Sequence, residues 1–256
     1  MPADVLMSHG LADKSYFFLR HKQTNRPLLN EFKHAFVPGE WHRRRLLEAT
    51  KSWDLRKRIK LSEDQIHVVG WPRLDPLVAA GAALRAPVGD RPLRVLWAPS
   101  HSVTKIGREQ RPLSSYPAFE EHLPRLEEFC EVRVSLHPTN RTDKAPTSDA
   151  LEWADVVISD FGTMLYEAWA LSKCVVMPTF LIPKVIATRR SATAEAYVYR
   201  ERIGNHAGSI DELLEMVAAN EPPAPDVNAF MDDYLAPEYF GSAGKRAAEV
   251  LTSLQV

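Results

Sequence analysis

The sequence predicts an α/β protein with parallel strands, arranged in two units. Three observations lead there. Residues 155–178 read as strand, turn, helix and second strand, with short buried-type runs on either side of one apolar-periodic helix. Short strand-like runs at 5–7, 35–37 and 66–69 alternate with helical or polar segments, the order that builds parallel sheets. Residues 85–92 are rich in proline, glycine and charge, which marks a linker.

Taken in order, Val5, Leu6 and Met7 form a strand ended by Ser8, His9 and Gly10, with Lys14 in the loop beyond. A strand needs neighbours, so a strand this early predicts a shortened first sheet, as if the chain opened inside a domain. Ala35 to Val37 form the next strand, closed by Pro38 and Gly39, and a helix is predicted from Trp41 through Ala49. Ile66 to Val69 make a third strand, ended by Gly70, Trp71, Pro72 and Arg73. The second unit opens with the strand Arg94 to Ala98, stopped by Pro99, Ser100 and His101. Residues 103–115 are polar and predict a long surface loop; 116–130 predict a helix bent at Pro124. Val132, Val134 and Leu136 alternate into a strand that stops at His137 and Pro138.

Val156 to Ile158 then form a buried strand, Ser159 to Gly162 a turn, and a helix follows from Thr163. Lys173 closes that helix with the charge its C-terminus favours, and Cys174 to Met177 form a strand stopped by Pro178. Beyond Pro183 the pattern weakens. Ser209 with Glu212 is a capping-box start for a helix over 211–219, and Pro222, Pro223 and Pro225 break the chain. A last amphipathic helix is predicted over 243–254.

With 45% hydrophobic and 25% charged residues among 256, the chain has the composition of ordinary globular domains. A net charge of −1 gives no general reason to expect nucleic-acid binding. Cys130 and Cys174 sit in apolar surroundings, which predicts free thiols and a reducing compartment. No run is long and apolar enough to span a bilayer, and the first residues lack a signal-peptide pattern.

In a parallel sheet the strand ends share one edge, where ligands bind. Two such sheets facing each other would gather His9, Arg73, His101, His137 and the helix start at Thr163. Imidazoles, a guanidinium and backbone N–H groups suit a diphosphate. No metal-ligand spacing, GxSxG or GxxxxGK[ST] motif is present, so no metal and no cofactor are predicted. Each residue has a plainer reading: Asp160 and Thr163 as helix caps, Arg73 as a partner of Asp75, His67 as packing, and His21, His34 and His42 as surface residues. The basic stretch from Arg43 to Lys60 reads as a solvated face or as contact with anionic lipid or a polyanionic acceptor.

In order, SHGLADK (Ser8 to Lys14), GWPRLD (Gly70 to Asp75), VLWAPSH (Val95 to His101), SLHP (Ser135 to Pro138), DVVISDFGTMLYEAWALSKCVVM (Asp155 to Met177) and FGSAGKRAAEVL (Phe240 to Leu251) resemble the CDP-glycerol glycerophosphotransferase family, the teichoic-acid primases and polymerases. The resemblance implies a GT-B-like fold with two Rossmann-like parallel-sheet lobes, the first one truncated. The implied division is a partial acceptor-side lobe over 1–84, a nucleotide-binding lobe over 93–235, and a C-terminal helix over 236–256 packing back towards the first lobe. It also implies a metal-independent transfer of glycerol phosphate, or a related polyol phosphate, from a CDP-activated donor to an acceptor hydroxyl in cell-wall or surface-polymer synthesis. His9 matches the candidate base, with His137 the second catalytic histidine. Lys14, Arg73, Ser100, His101, Asp160, Gly162 and Thr163 fall to the donor diphosphate and nucleotide. The implied partners are CDP-glycerol or a similar donor and a lipid-linked or polymeric acceptor, with no nucleic acid. The implied location is cytoplasmic, peripheral on the inner face of the plasma membrane. Two alternatives stay open: a GT-B glycosyltransferase using a sugar nucleotide, and an inactive nucleotide-binding remnant. The family's D-Y-S-S serines are here Gly162 and Thr163.

Overall fold

The computed structural model describes residues 4–12, 16–81, 88–101, 103–106, 109–112, 114–140, 147–182, 184–187 and 193–254, and every statement of number or absence below refers to these. Lys14 lies outside them. The chain begins with β1 (Val5–Met7), β2 (His34–Val37), α1 (Glu40–Thr50), β3 (Ile66–Val68) and α2 (Asp75–Ala79). It continues through β4 (Leu93–Trp97), β5 (Val103–Ile106), β6 (Glu109–Pro112), α3 (Leu123–Glu127), β7 (Cys130–Val134), α4 (Thr147–Trp153), β8 (Val156–Ile158), α5 (Thr163–Ala170) and β9 (Cys174–Met177). It ends with α6 (Ala194–Glu201), β10 (Asn205–His206), α7 (Ile210–Ala219), α8 (Pro225–Tyr234) and α9 (Ala243–Ser253). Two compact units result: Met1–Ala80 with Ala229–Val256, and Gly81–Asn228. No helix is long and apolar enough to cross a membrane.

The first unit has a parallel sheet in the order β1-β2-β3, with Leu6 beside Ala35 and Ala35 beside Ile66. Alternation along these strands sorts the side chains. Leu6, Ala35, Val37 and Ile66 pack with Leu46 of α1 and with Ile59. Phe36 and Val69 turn the other way, against Val250 of α9, with Val5, Met7, Ala247 and Leu254 around them. Helices thus cover both faces, as an all-parallel sheet requires. Leu46 and Ile59 are each 1% exposed, a burial worth about 2 kcal/mol apiece by transfer.

Two of the resembling motifs meet here. The Asp75 carboxylate accepts the amide hydrogens of Ala243 (3.1 Å) and Gly244 (2.7 Å), so it caps α9 from a distant part of the chain. Gly70, at φ +78°, lies so close to Ala243 that a Cβ there would stand 2.9 Å from the alanine methyl. His42 is not the surface residue its sequence context predicts. It is buried, its ring centroid is 4.6 Å from that of Tyr234, and burial pushes its pKa down to about 3.

The second unit carries a five-stranded parallel sheet in the order β10-β9-β8-β4-β7. Val95, Trp97, Val156, Ile158, Cys174 and Val176 share one face, packed with Leu126 of α3 and with Leu213 and Val217 of α7. Both cysteines are buried free thiols. Several sequence expectations need correction. Residues 103–106 and 109–112 are an antiparallel hairpin rather than loop. The helix expected over 116–130 is a 3-10 turn (Ala118–His122) followed by short α3. Beyond Pro183, α6 forms on a Thr193 cap whose hydroxyl accepts the Ala196 amide. Pro225 starts α8 instead of breaking the chain, because the first helical position needs no N–H. The Lys173 ammonium donates to the Ala154 carbonyl (2.7 Å) just past α4, while its backbone amide donates to the Ala168 carbonyl (3.0 Å) in the last turn of α5.

Candidate functional site

Strand order decides where a ligand can enter the second unit. In sequence β4 is followed by β7 on one side of it, whereas β8 lies on its other side. Connections leave β4 in opposite directions, so the carboxyl ends of β4 and β8 flank a crevice at the topological switch point, where open α/β sheets bind ligands. The motif Ser100-His101 follows β4, His137-Pro138 follows β7, and Ser159 to Thr163 follows β8.

Asp160 organises this edge. It is 0% exposed. Its Oδ2 accepts the amide hydrogens of Ser100 (3.0 Å) and Ser115 (3.1 Å), and lies 2.7 Å from the Ser114 hydroxyl. That hydroxyl is also 2.9 Å from the Ser100 carbonyl, and its single proton can serve only one acceptor. Burial pushes the Asp160 pKa up despite these donors. Oδ1 is buried with no partner. Asp160 therefore ties the ends of β4 and β8 to the return of the hairpin. The N-cap of α5 is Gly162 rather than Asp160.

More bonds fix the same loop. Ser159 donates to the Ala98 carbonyl (2.9 Å), the Ser100 hydroxyl donates to the Phe161 carbonyl, and the Tyr199 hydroxyl donates to the Asp160 carbonyl (2.7 Å). Burial, with Asp160 nearby, pushes the Tyr199 pKa well above its usual value, so it stays a donor. Gly162 is the N-cap of α5 at φ 149° and ψ −178°, a conformation open essentially to glycine alone. A Cβ there would lie 3.1 Å from the Ser100 Oγ. With glycine at the cap, no N-cap side chain accepts the first amides of α5.

His101 and His137 come together, ring centroids 5.4 Å apart. The Thr139 amide donates to His137 Nδ1 (3.3 Å), and the Thr139 hydroxyl lies 2.8 Å from the same nitrogen. An accepting Nδ1 puts the proton of the neutral ring on Nε2. Two histidines and the glycine-opened start of α5 form an edge suited to phosphate oxygens.

The other expected site residues belong to the first unit. His9 is exposed beyond β1, its ring centroid 5.0 Å from that of Tyr16. Ser8 donates to the Gly10 carbonyl (2.7 Å), and the buried Tyr234 hydroxyl donates to the Leu11 carbonyl (2.6 Å), which holds the loop that carries His9. Arg73 is exposed in the turn Pro72–Leu74. The sequence reading missed Ser114, Ser115 and Tyr199. The serines sit in a stretch taken for loop, and Tyr199 in a helix with weak apolar periodicity, so no local signal marked them.

No family model and no curated protein matches the chain. Solved structures do. The wall teichoic acid polymerase TagF aligns at a TM-score of 0.59 and 13% identity, over 98% of this chain and 69% of its own. A histidine-to-alanine variant of TagF gives 0.57 at 12% identity with the same coverage. A histidine-to-asparagine variant gives 0.54 at 13%, over 92% of this chain and 62% of its own. The chain thus has the GT-B-like fold of the wall teichoic acid polymerase TagF, with two parallel-sheet α/β lobes, at sequence identities of 12–13%.

Proposed function

We propose that this chain is a transferase that moves glycerol phosphate, or a related polyol phosphate, from a CDP-activated donor to an acceptor hydroxyl in cell-wall or surface-polymer synthesis. The observation that carries the reading is the switch-point edge, where the glycine-opened start of α5 stands with the His101–His137 pair. The fold shared with a teichoic acid polymerase supports it. In this reading the acceptor oxygen attacks the β-phosphorus, the bond to the bridging oxygen breaks, and CMP leaves with the electron pair. His9 takes the acceptor proton, the general-base role that imidazole side chains most often fill. His137 and Arg73 oppose the charge that develops on the leaving phosphate. Asp160, Gly162 and Thr163 shape the loop beneath it, and Ser100 and His101 flank it.

Titration calorimetry tests the reading, with CDP-glycerol, CMP and a UDP-sugar as ligands. Tight binding of CDP-glycerol and CMP, with turnover on a polyol-phosphate acceptor, is expected. Preference for the UDP-sugar would replace it with a sugar-nucleotide transferase, and nucleotide binding without turnover would leave a non-catalytic binding protein.

A further inference from the structure

The five-stranded sheet of the second unit has two edges of different build. At one end β10 is two residues long, too short to template another strand. At the other, β7 is five residues long and runs beside β4 in unbroken register, from Cys130 beside Leu93 to Val134 beside Trp97. It carries neither the proline nor the bulge that commonly blunts an edge. The Ser135 amide donates to the Trp97 carbonyl (2.9 Å), and backbone groups alternate in direction along a strand, so Glu131 and Arg133 also bond towards β4. The amides and carbonyls of Val132 and Val134 then point outward, where no further strand lies among the described residues.

The apolar groups at this edge are open as well. Val134 is 46% exposed and Phe129, just before β7, 41%. Glu131 and Arg133 are exposed on the face opposite that of Val132. Glu131 makes a long contact with Arg94 (3.8 Å), and the Arg133 guanidinium lies over the Trp153 ring of α4 at 4.1 Å. Stacking uses the face of a guanidinium and leaves its in-plane N–H donors for a carboxylate. The two charges are of opposite sign, so they reject particular registers rather than every incoming strand.

We propose that β7 pairs with β7 of a second copy of this chain, antiparallel about a twofold axis through Val132, so that one sheet runs through both copies. Val132 then exchanges both backbone bonds with Val132 of the second copy, which its outward groups allow. Glu131 stands opposite Arg133 of the second copy, and Arg133 opposite its Glu131, at the pairs where facing side chains are closest. Val134 meets Cys130 of the second copy on the other face. Moving the axis to Glu131 or to Arg133 sets like charges against each other, which disfavours those registers. The order Glu131-Val132-Arg133 is thus complementary to itself, the property that a twofold interface requires and a foreign strand does not. One strand pair is a small interface, so the dimer forms and dissociates with concentration. The inference stands apart from the transferase reading, since the pairing is measured without nucleotide.

The test is sedimentation velocity of the full chain over a range of concentrations, where a reversible dimer is expected. Glu131→Arg and Arg133→Glu should each weaken it roughly tenfold, because symmetry replaces two attractive cross-strand pairs by two repulsive ones. An equimolar mixture of these two variants should dimerise again, since one chain then offers two guanidiniums and the other two carboxylates at the facing positions. Val132→Pro should abolish the dimer, because it removes an outward amide and none of those that bond to β4. Circular dichroism and thermal melts check each variant, and the charge variants decide the matter if Val132→Pro fails to fold. A wild-type chain that stays monomeric at millimolar concentration overturns the proposal and leaves the edge to an extended segment of another protein. So does a dimer that both charge variants keep undiminished, or a mixture of them that fails to regain it.

Discussion

Asp160 Oδ2 lies 3.0 Å from the amide nitrogen of Ser100, 60 residues earlier in the chain. This bond joins the ends of two neighbouring strands at the sheet's switch point. The loop it holds carries Gly162 and leads into α5, so the geometry of the candidate phosphate edge depends on a side chain that never reaches solvent.

Asp160→Ala should leave the buried amides of Ser100 and Ser115 without an acceptor, at about 1–3 kcal/mol each. A stability loss of about 3 kcal/mol in urea denaturation is expected. Asp160→Asn keeps one acceptor oxygen and should lose about 1 kcal/mol. Because burial raises the folded pKa above the unfolded value, the carboxyl stabilises most below about pH 4, and this contribution fades as pH rises through the folded pKa. The advantage of wild type over Asp160→Asn should therefore shrink as pH rises. An advantage that grows with pH would mean that the three donors outweigh burial.

Asp75→Ala should remove the acceptor at the start of α9. The Ser242 side chain makes no cap bond there, so no substitute is at hand. A loss of about 1–2 kcal/mol is expected by thermal melting, with Asp75→Asn losing less. An unchanged melt would show that packing alone seats α9.

His42 makes the first unit sensitive to acid. Its folded pKa of about 3 lies below the unfolded ~6.5, so the neutral ring stabilises the fold above pH 6.5 and that stability is lost as pH falls towards 3. Asp233 opposes the shift without cancelling it. The full span is on the order of 5 kcal/mol. His42→Phe should flatten the acid limb of stability against pH. His206, whose pKa burial holds at about 4, should add a separate loss in the second unit between pH 6.5 and 4. Identical acid limbs in wild type and His42→Phe would count against the first assignment.

His9→Ala should lower kcat by roughly 10²- to 10⁴-fold and leave CMP affinity nearly unchanged. His137→Ala and Thr163→Val should instead weaken binding of CDP-containing ligands, with melts run alongside to separate unfolding from lost contacts. Full turnover of His9→Ala at saturating donor and acceptor would remove His9 from the mechanism.

Much of the scaffold is written in local pattern. The β-branched run of β8, the spacing of α5, and the stops at Pro38, Pro99 and Pro178 reveal an α/β chain with parallel strands, because strand and helix periods show over a few residues. The switch-point residues Ser100, His101, His137 and Gly162 were legible for the same reason, since each sits where an apolar run ends. Tertiary structure alone decided what Asp160 does, because its acceptor role needs Ser100 and Ser114, which lie 60 and 46 residues away. It alone placed Asp75 on the amides of α9, 168 and 169 residues on, and buried His42 against Tyr234. Hydrogen bonds, burial and the pKa shifts they cause depend on distance in space, and a sequence read by its periods carries no measure of that distance.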